Sequence, residues 1–137
     1  MRHKGSVSQI NLDREKIIPA LYRKAKAVAS WPTNVMKLCE IAAGLPVTKF
    51  YISFDSALYY VRSRFYYKKN KKFTDPFRQK LYDAFYDRFL ELKESPAHKE
   101  KKIPDVVLLA LLSPAPTCGL SPLRIYYILL KNKKIKK

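Results

Sequence analysis

At one fixed offset along the chain, Ala42 falls on Ala110, Pro46 on Pro114, Ser53 on Ser121 and Tyr59 on Tyr127. Each set frames the same arrangement. An apolar helical stretch leads into a short box marked by proline, the box ends at a serine placed to cap, and a second helical stretch runs into lysines. Self-similarity at a fixed spacing restricts the chain to folds in which related units pack on one another. The units are expected over about residues 35–65 and 103–133, related by a pseudo-twofold axis. The two boxes are short and flanked by helices, and their expected pairing is a small two-stranded β ribbon.

The rest of the pattern is mainly α, with about six helices. From Asp13, the apolar positions Ile17, Ile18, Leu21, Tyr22, Ala25, Val28 and Ala29 follow helical spacing. Pro19 either kinks this first helix or starts it, because proline has no amide to donate. Thr33 or Asn34 can cap a second helix that ends at Gly44, and residues 49–52 are short and β-prone. Ser53 caps a third helix, with Asp55 in its first turn where a carboxylate favours the dipole. Asp75 followed by Pro76 starts a fourth, whose apolar stripe is Leu81, Tyr82, Phe85, Tyr86, Phe89 and Leu92. Pro104 opens a fifth through Leu112, and Ser121 with Pro122 opens a sixth. Residues 1–10 read as a basic tail, 11–130 as one helical domain, and 131–137 as a second basic tail.

The net charge is +17, from 28 basic and 11 acidic side chains among 137 residues. Self-repulsion of that size opposes the compact state, and the usual beneficiaries are polyanions. Residues 62–72 hold two arginines and four lysines with no acid; residues 124–137 hold one arginine and five lysines with no acid. The candidate phosphate contacts are Arg62, Arg64, Lys68, Lys69, Lys71 and Lys72 in the first run. In the second they are Arg124, Lys131, Lys133, Lys134, Lys136 and Lys137. Tyr66 and Tyr67 sit where a helix gives way to lysines, and an exposed ring there can stack on a base. Tyr59 and Tyr127 are expected to be core or inter-unit contacts instead. A helix-turn-helix would need a shorter join than residues 44–52, so backbone contact is the simpler expectation, with Arg62 and Arg64 as base-edge candidates.

Catalytic patterns are missing. Cys39 and Cys118 match no zinc spacing, and neither histidine lies near a nucleophile in sequence. Asp83, Asp87 and Glu91 recur on one helix face, which reads as a solvated stripe paired to Arg78, Lys80 and Arg88 rather than a metal ladder. Three glycines in the chain argue against a Gly-rich phosphate loop. No enzyme activity, cofactor or metal is expected. The apolar run from 106 to 130 is broken by prolines, so a membrane span is not expected.

The box Pro46-x-x-x-Phe50-Tyr51-x-Ser53 resembles an element in small basic proteins of gut Bacteroidales and their phages, over about residues 38–95 and again 106–130. In the second copy Cys118 and Gly119 replace the aromatic pair. The resemblance implies a phage or mobile-element source and carries no activity with it. The expectation is a non-enzymatic nucleic-acid-binding protein, located in the cytoplasm or a virion. Alternatives are a structural protein of a larger particle or homo-oligomer, and an accessory subunit of a reverse transcriptase or recombinase.

Overall fold

A computed structural model of the chain describes residues 7–29, 34–69 and 72–132. Six α-helices run through them: α1 (Val7–Val28), α2 (Val35–Ala43), α3 (Phe54–Tyr67), α4 (Pro76–Glu94), α5 (Ile103–Leu111) and α6 (Pro122–Lys131). The fold is mainly α.

Helix α1 begins earlier than its apolar spacing suggests. Residues 7–10 are helical rather than tail, and Pro19 lies inside the helix instead of opening it. The proline has no N–H for the Glu15 carbonyl, so α1 is held through that turn by packing rather than by its own ladder. Asn34 caps α2, its Oδ1 accepting from the Lys37 amide at 2.8 Å. Pro76, Pro104 and Pro122 all stand in the first turn of their helices, where the missing amide costs nothing.

The offset that carries Pro46 onto Pro114 also carries the bounds of α2 onto those of α5, and the start of α3 onto that of α6. The helix ends behave alike. Ser53 Oγ accepts from the Ser56 amide at 3.3 Å, and Ser121 Oγ accepts from the Arg124 amide at 3.3 Å. Gly44 closes α2 at φ −94°, ψ −2°, and Leu112 closes α5 at φ −85°, ψ −2°. Gly44 therefore stops its helix without using the left-handed region; a leucine takes the same backbone shape.

The boxes do not form a ribbon. Among the described residues they meet at one isolated antiparallel bridge, Val47 with Ala115. Val47 N donates to Ala115 O at 2.9 Å, and Ala115 N donates back to Val47 O at 3.0 Å. Neighbouring rungs would need the amides of Leu45 and Ser113, and both already donate to helix ends, to Ala42 O and Ala110 O. Val47 and Ala115 are offset partners. A reciprocal antiparallel pair between partners places a local twofold axis between them.

Packing crosses that axis. Helix α2 lies against α6 and α3 against α5, while α1 covers α2 and α6 and α4 covers α5. Neither half closes a core by itself. The buried positions pair accordingly: Leu38 with Val106, Cys39 with Val107, Ala42 with Ala110, Val61 with Leu129. The correspondence extends upstream, where Ile18 pairs with Tyr86 and Leu21 with Phe89, all buried. Other bonds near the boxes also cross between halves. Phe50 N donates to Leu111 O at 3.0 Å, and Thr117 Oγ1 donates to Ala43 O at 2.6 Å. Among the described residues, no helix is long and apolar enough to cross a membrane.

Candidate nucleic-acid interface

Helix α3 buries Ala57, Tyr60 and Val61, which turns positions 55, 59, 62 and 66 outward at spacings of four, three and four. Tyr59, Arg62 and Tyr66 thus form an exposed stripe above Asp55, with Tyr59 67% and Tyr66 60% exposed. Tyr67, 71% exposed, follows at the last helical position. Lys68 then turns the chain in the left-handed region at φ 57°, where a non-glycine residue costs about 1–2 kcal/mol. Its amide and that of Lys69 both donate to Ser63 O. This cap holds both ammonium groups at the surface beside the two terminal tyrosines, and Lys72 is exposed just beyond.

The assignment of Tyr59 and Tyr127 to the core is wrong. Tyr127 is 56% exposed. Both tyrosines sit one residue before a buried position, Tyr60 and Ile128, and the step of about 100° per residue carries them off the apolar face. Tyr59 was legible as a surface residue from its register with Arg62 and Tyr66.

Arg64 does not belong to the surface. Its Nη1 donates to Tyr60 Oη at 2.9 Å and to Asp83 Oδ1 at 3.2 Å, and its guanidinium lies 4.3 Å from the centre of the Tyr86 ring. Burial pulls this group down. The Tyr60 hydroxyl and the Asp83 carboxylate more than reverse that, so its pKa stands above the ordinary arginine value. Burial likewise raises the Tyr60 phenol. Such a guanidinium ties α3 to α4 and is committed to that contact rather than to the exposed stripe. Asp83 also accepts from Gln79 Nε2 on its own helix at 2.9 Å, and within the acidic stripe its ion pair is with Arg64 of α3 rather than with Arg78 or Lys80. Glu91 does pair with Arg88, at 3.1 Å.

Lys131 also differs from expectation. It is the last residue of α6, not tail, and its Nζ lies 2.7 Å from Glu15 Oε1 on α1. Glu15 and Asp83 are offset partners, so each outer helix is tied to the second helix of a unit through the same carboxylate position. Arg124 is exposed in the first turn of α6. Lys71, Lys133, Lys134, Lys136 and Lys137 lie outside the described residues. The structure therefore brings together Arg62, Tyr66, Tyr67, Lys68 and Lys69, adds Tyr59, and separates Arg64, Arg124 and Lys131 from them.

Cation supply exceeds acid supply at the surface. Among the described residues, ion pairs engage Lys37, Arg64, Arg88 and Lys131 alone. Both thiols are buried, and burial pushes Cys39 up to about 11 and raises Cys118, which opposes thiolate chemistry at either. No cluster of three or more metal-ligating side chains occurs among the described residues. Comparison with protein-family models, with curated proteins and with solved structures finds no match to this chain.

Proposed function

We propose that this is a non-enzymatic nucleic-acid-binding protein that holds the phosphate backbone electrostatically and stacks bases on the outer face of α3. The observation that carries it is the stripe of Tyr59, Arg62 and Tyr66 running into Tyr67, Lys68 and Lys69. Exposed rings interleaved with unpaired cations serve no core, whereas a polynucleotide presents a base face and a phosphate at each step. The net charge of +17 supplies the long-range attraction. Phosphate contacts dominate in this scheme, because Arg64, the second base-edge candidate, is turned inward.

The test is a titration of the full chain with a generic single-stranded oligonucleotide. Affinity is expected to fall by orders of magnitude between about 50 and 200 mM salt, with little dependence on sequence. Tyr66→Ala should weaken binding by about 1–3 kcal/mol if one base stacks there. Salt-independent affinity, or none at low salt, removes the proposal.

A structural role in a larger particle is favoured by a different feature. Leu108 on α5 and Leu112 at its C-terminal cap are 50% and 72% exposed, one helical turn apart, an apolar surface that a protein partner would cover.

A further inference from the structure

A small cleft opens where the N-terminal halves of α1 and α4 converge on the first turn of α3. Its polar lining is Asn11, Arg14, Ser53, Ser56, Arg78 and Tyr82, and its volume is about 50 Å³. A water needs roughly 10–15 Å³ by this measure, so the space suits one group of a few oxygen atoms. The cleft straddles the pseudo-twofold axis. Its walls include both members of three offset pairs: Ile10 with Arg78, Arg14 with Tyr82, and Tyr51 with Gly119. Each half contributes one guanidinium from a different turn, so there is one such cleft per chain rather than two.

Arg14 is the central group. Its Nη2 donates to Asn11 Oδ1 at 2.9 Å, and its Nη1 makes a long bond of 3.4 Å to Cys118 O. A guanidinium carries five N–H donors, so most of its capacity is not used by these two. The Arg14 side chain is half-buried and lines the cleft. Neither Arg14 nor Arg78 forms an ion pair with a described residue; the adjacent Asp13 accepts from Gln9 Nε2 at 2.9 Å. Burial lowers the pKa of Arg14, and the like charges of Arg78 and Arg124 lower it further, with opposition from Cys118 and Tyr82 but from no carboxylate. Arg14 is half-buried and Arg78 is exposed at the rim, its guanidinium 5.5 Å from the centre of the Phe73 ring, and neither charge is met by an ion pair among the described residues. The walls add the hydroxyls of Ser56 and Tyr82, while the Ser53 hydroxyl donates to Ser56 Oγ at 2.8 Å.

We propose that this cleft binds a single phosphate group. A phosphate monoester carries about −1.5 to −2 at neutral pH and accepts through several oxygens, matching two guanidiniums and a row of hydroxyls in charge and number. A carboxylate would leave one arginine uncompensated. The site does not rest on the nucleic-acid proposal, since free phosphate would bind whether or not the α3 face holds a polynucleotide. The phosphate could be inorganic or the terminal phosphate of a strand.

Calorimetric titration of the full chain with inorganic phosphate at low ionic strength tests it. The expected result is one phosphate per chain. Arg14→Gln and Arg78→Gln, with folding checked by circular dichroism, should each weaken it by about tenfold or more. Arg62→Gln removes the same charge from the α3 stripe and should leave phosphate affinity unchanged. A wild-type chain that takes up no phosphate overturns the proposal. So does an Arg62→Gln loss equal to that of Arg14→Gln, which would mean diffuse surface attraction. A second arm compares one oligonucleotide bearing a 5′-phosphate or a 5′-hydroxyl. A preference for the phosphorylated strand that disappears in Arg14→Gln supports the site with a strand end as its ligand. Equal affinity for both strands, with inorganic phosphate still bound, supports the site with a free phosphate.

Discussion

Gly119 occupies φ +83°, and a Cβ built there would lie 2.5 Å from Leu81 Cδ2, with Cγ and Cβ of Leu81 at 3.4 and 3.5 Å. Gly119→Ala therefore incurs two separate costs. The left-handed backbone disfavours any Cβ by about 1–2 kcal/mol. The collision adds an overpacking cost of about 1–3 kcal/mol, because Leu81 is 2% exposed and has to swing its methyl into packed neighbours. The expected loss is about 2–5 kcal/mol, a large share of a small domain's stability. Urea unfolding followed by circular dichroism measures it, and a double-mutant cycle with Leu81→Ala divides it. Leu81→Ala alone should cost about 2–5 kcal/mol. In the double variant the collision disappears and the backbone cost stays, so the combined loss should fall short of the sum by about 1–3 kcal/mol. A Gly119→Ala loss below about 1 kcal/mol, or strict additivity in the cycle, refutes the close approach of the second box to α4.

Arg64→Met should cost about 0.5–1.5 kcal/mol in unfolding free energy by removing its bonds to Tyr60 and Asp83, which keep each other and Gln79 as partners, while leaving oligonucleotide affinity nearly unchanged. A large affinity loss without destabilisation would return Arg64 to the surface. Ser53→Ala and Ser121→Ala should each cost about 0.5–2 kcal/mol, read by thermal or urea melts; a neutral result at either means that the helix start is held by its neighbours instead. Stability should decline as pH rises above about 9. Cys39 has a folded pKa of about 11 against the ordinary 9.0, so the stability it contributes is complete below 9 and is lost as pH climbs through 11. Buried Tyr22, Tyr51, Tyr82 and Tyr86 are shifted upward from 10.0 and act in the same direction. Urea midpoints that stay level from pH 8 to about 10.5 would contradict this.

What could be read from sequence was whatever depends on local chemistry. Ser53, Asp75 and Ser121 announce helix starts because a short oxygen side chain, followed by proline at Asp75 and Ser121, acts within one turn. The apolar stripe of α4 carries its own period. What could not be read depends on partners far along the chain. Arg64 is chemically indistinguishable from Arg62 until Tyr60, Asp83 and Tyr86 are seen around it. Lys131 looks like tail until Glu15 is found beside it. The boxes have the composition of a ribbon, yet the amides of Leu45 and Ser113 go to helix ends. The matching of α1 with α4 was hidden because Ile18 and Leu21 share only apolar character with Tyr86 and Phe89. The phosphate cleft was invisible for a similar reason, since Arg14 and Arg78 lie on separate helices and occupy non-equivalent turns.

The crossed packing has a consequence for how the chain is made. On a ribosome, α2 emerges early, but of the two helices it packs against, α1 and α6, the second is the last of the six. Until α6 appears, the apolar face of α2 has only α1 to meet, and until the second box appears the bond from Thr117 to the end of α2 cannot form. Order must therefore come late and largely at once, by closure of contacts that are distant in sequence, which is slow relative to local helix formation. A nascent chain of this design exposes its first half for most of its synthesis. The dense positive charge around that half then acts before there is a fold to stabilise, because mutual repulsion keeps unfinished chains apart.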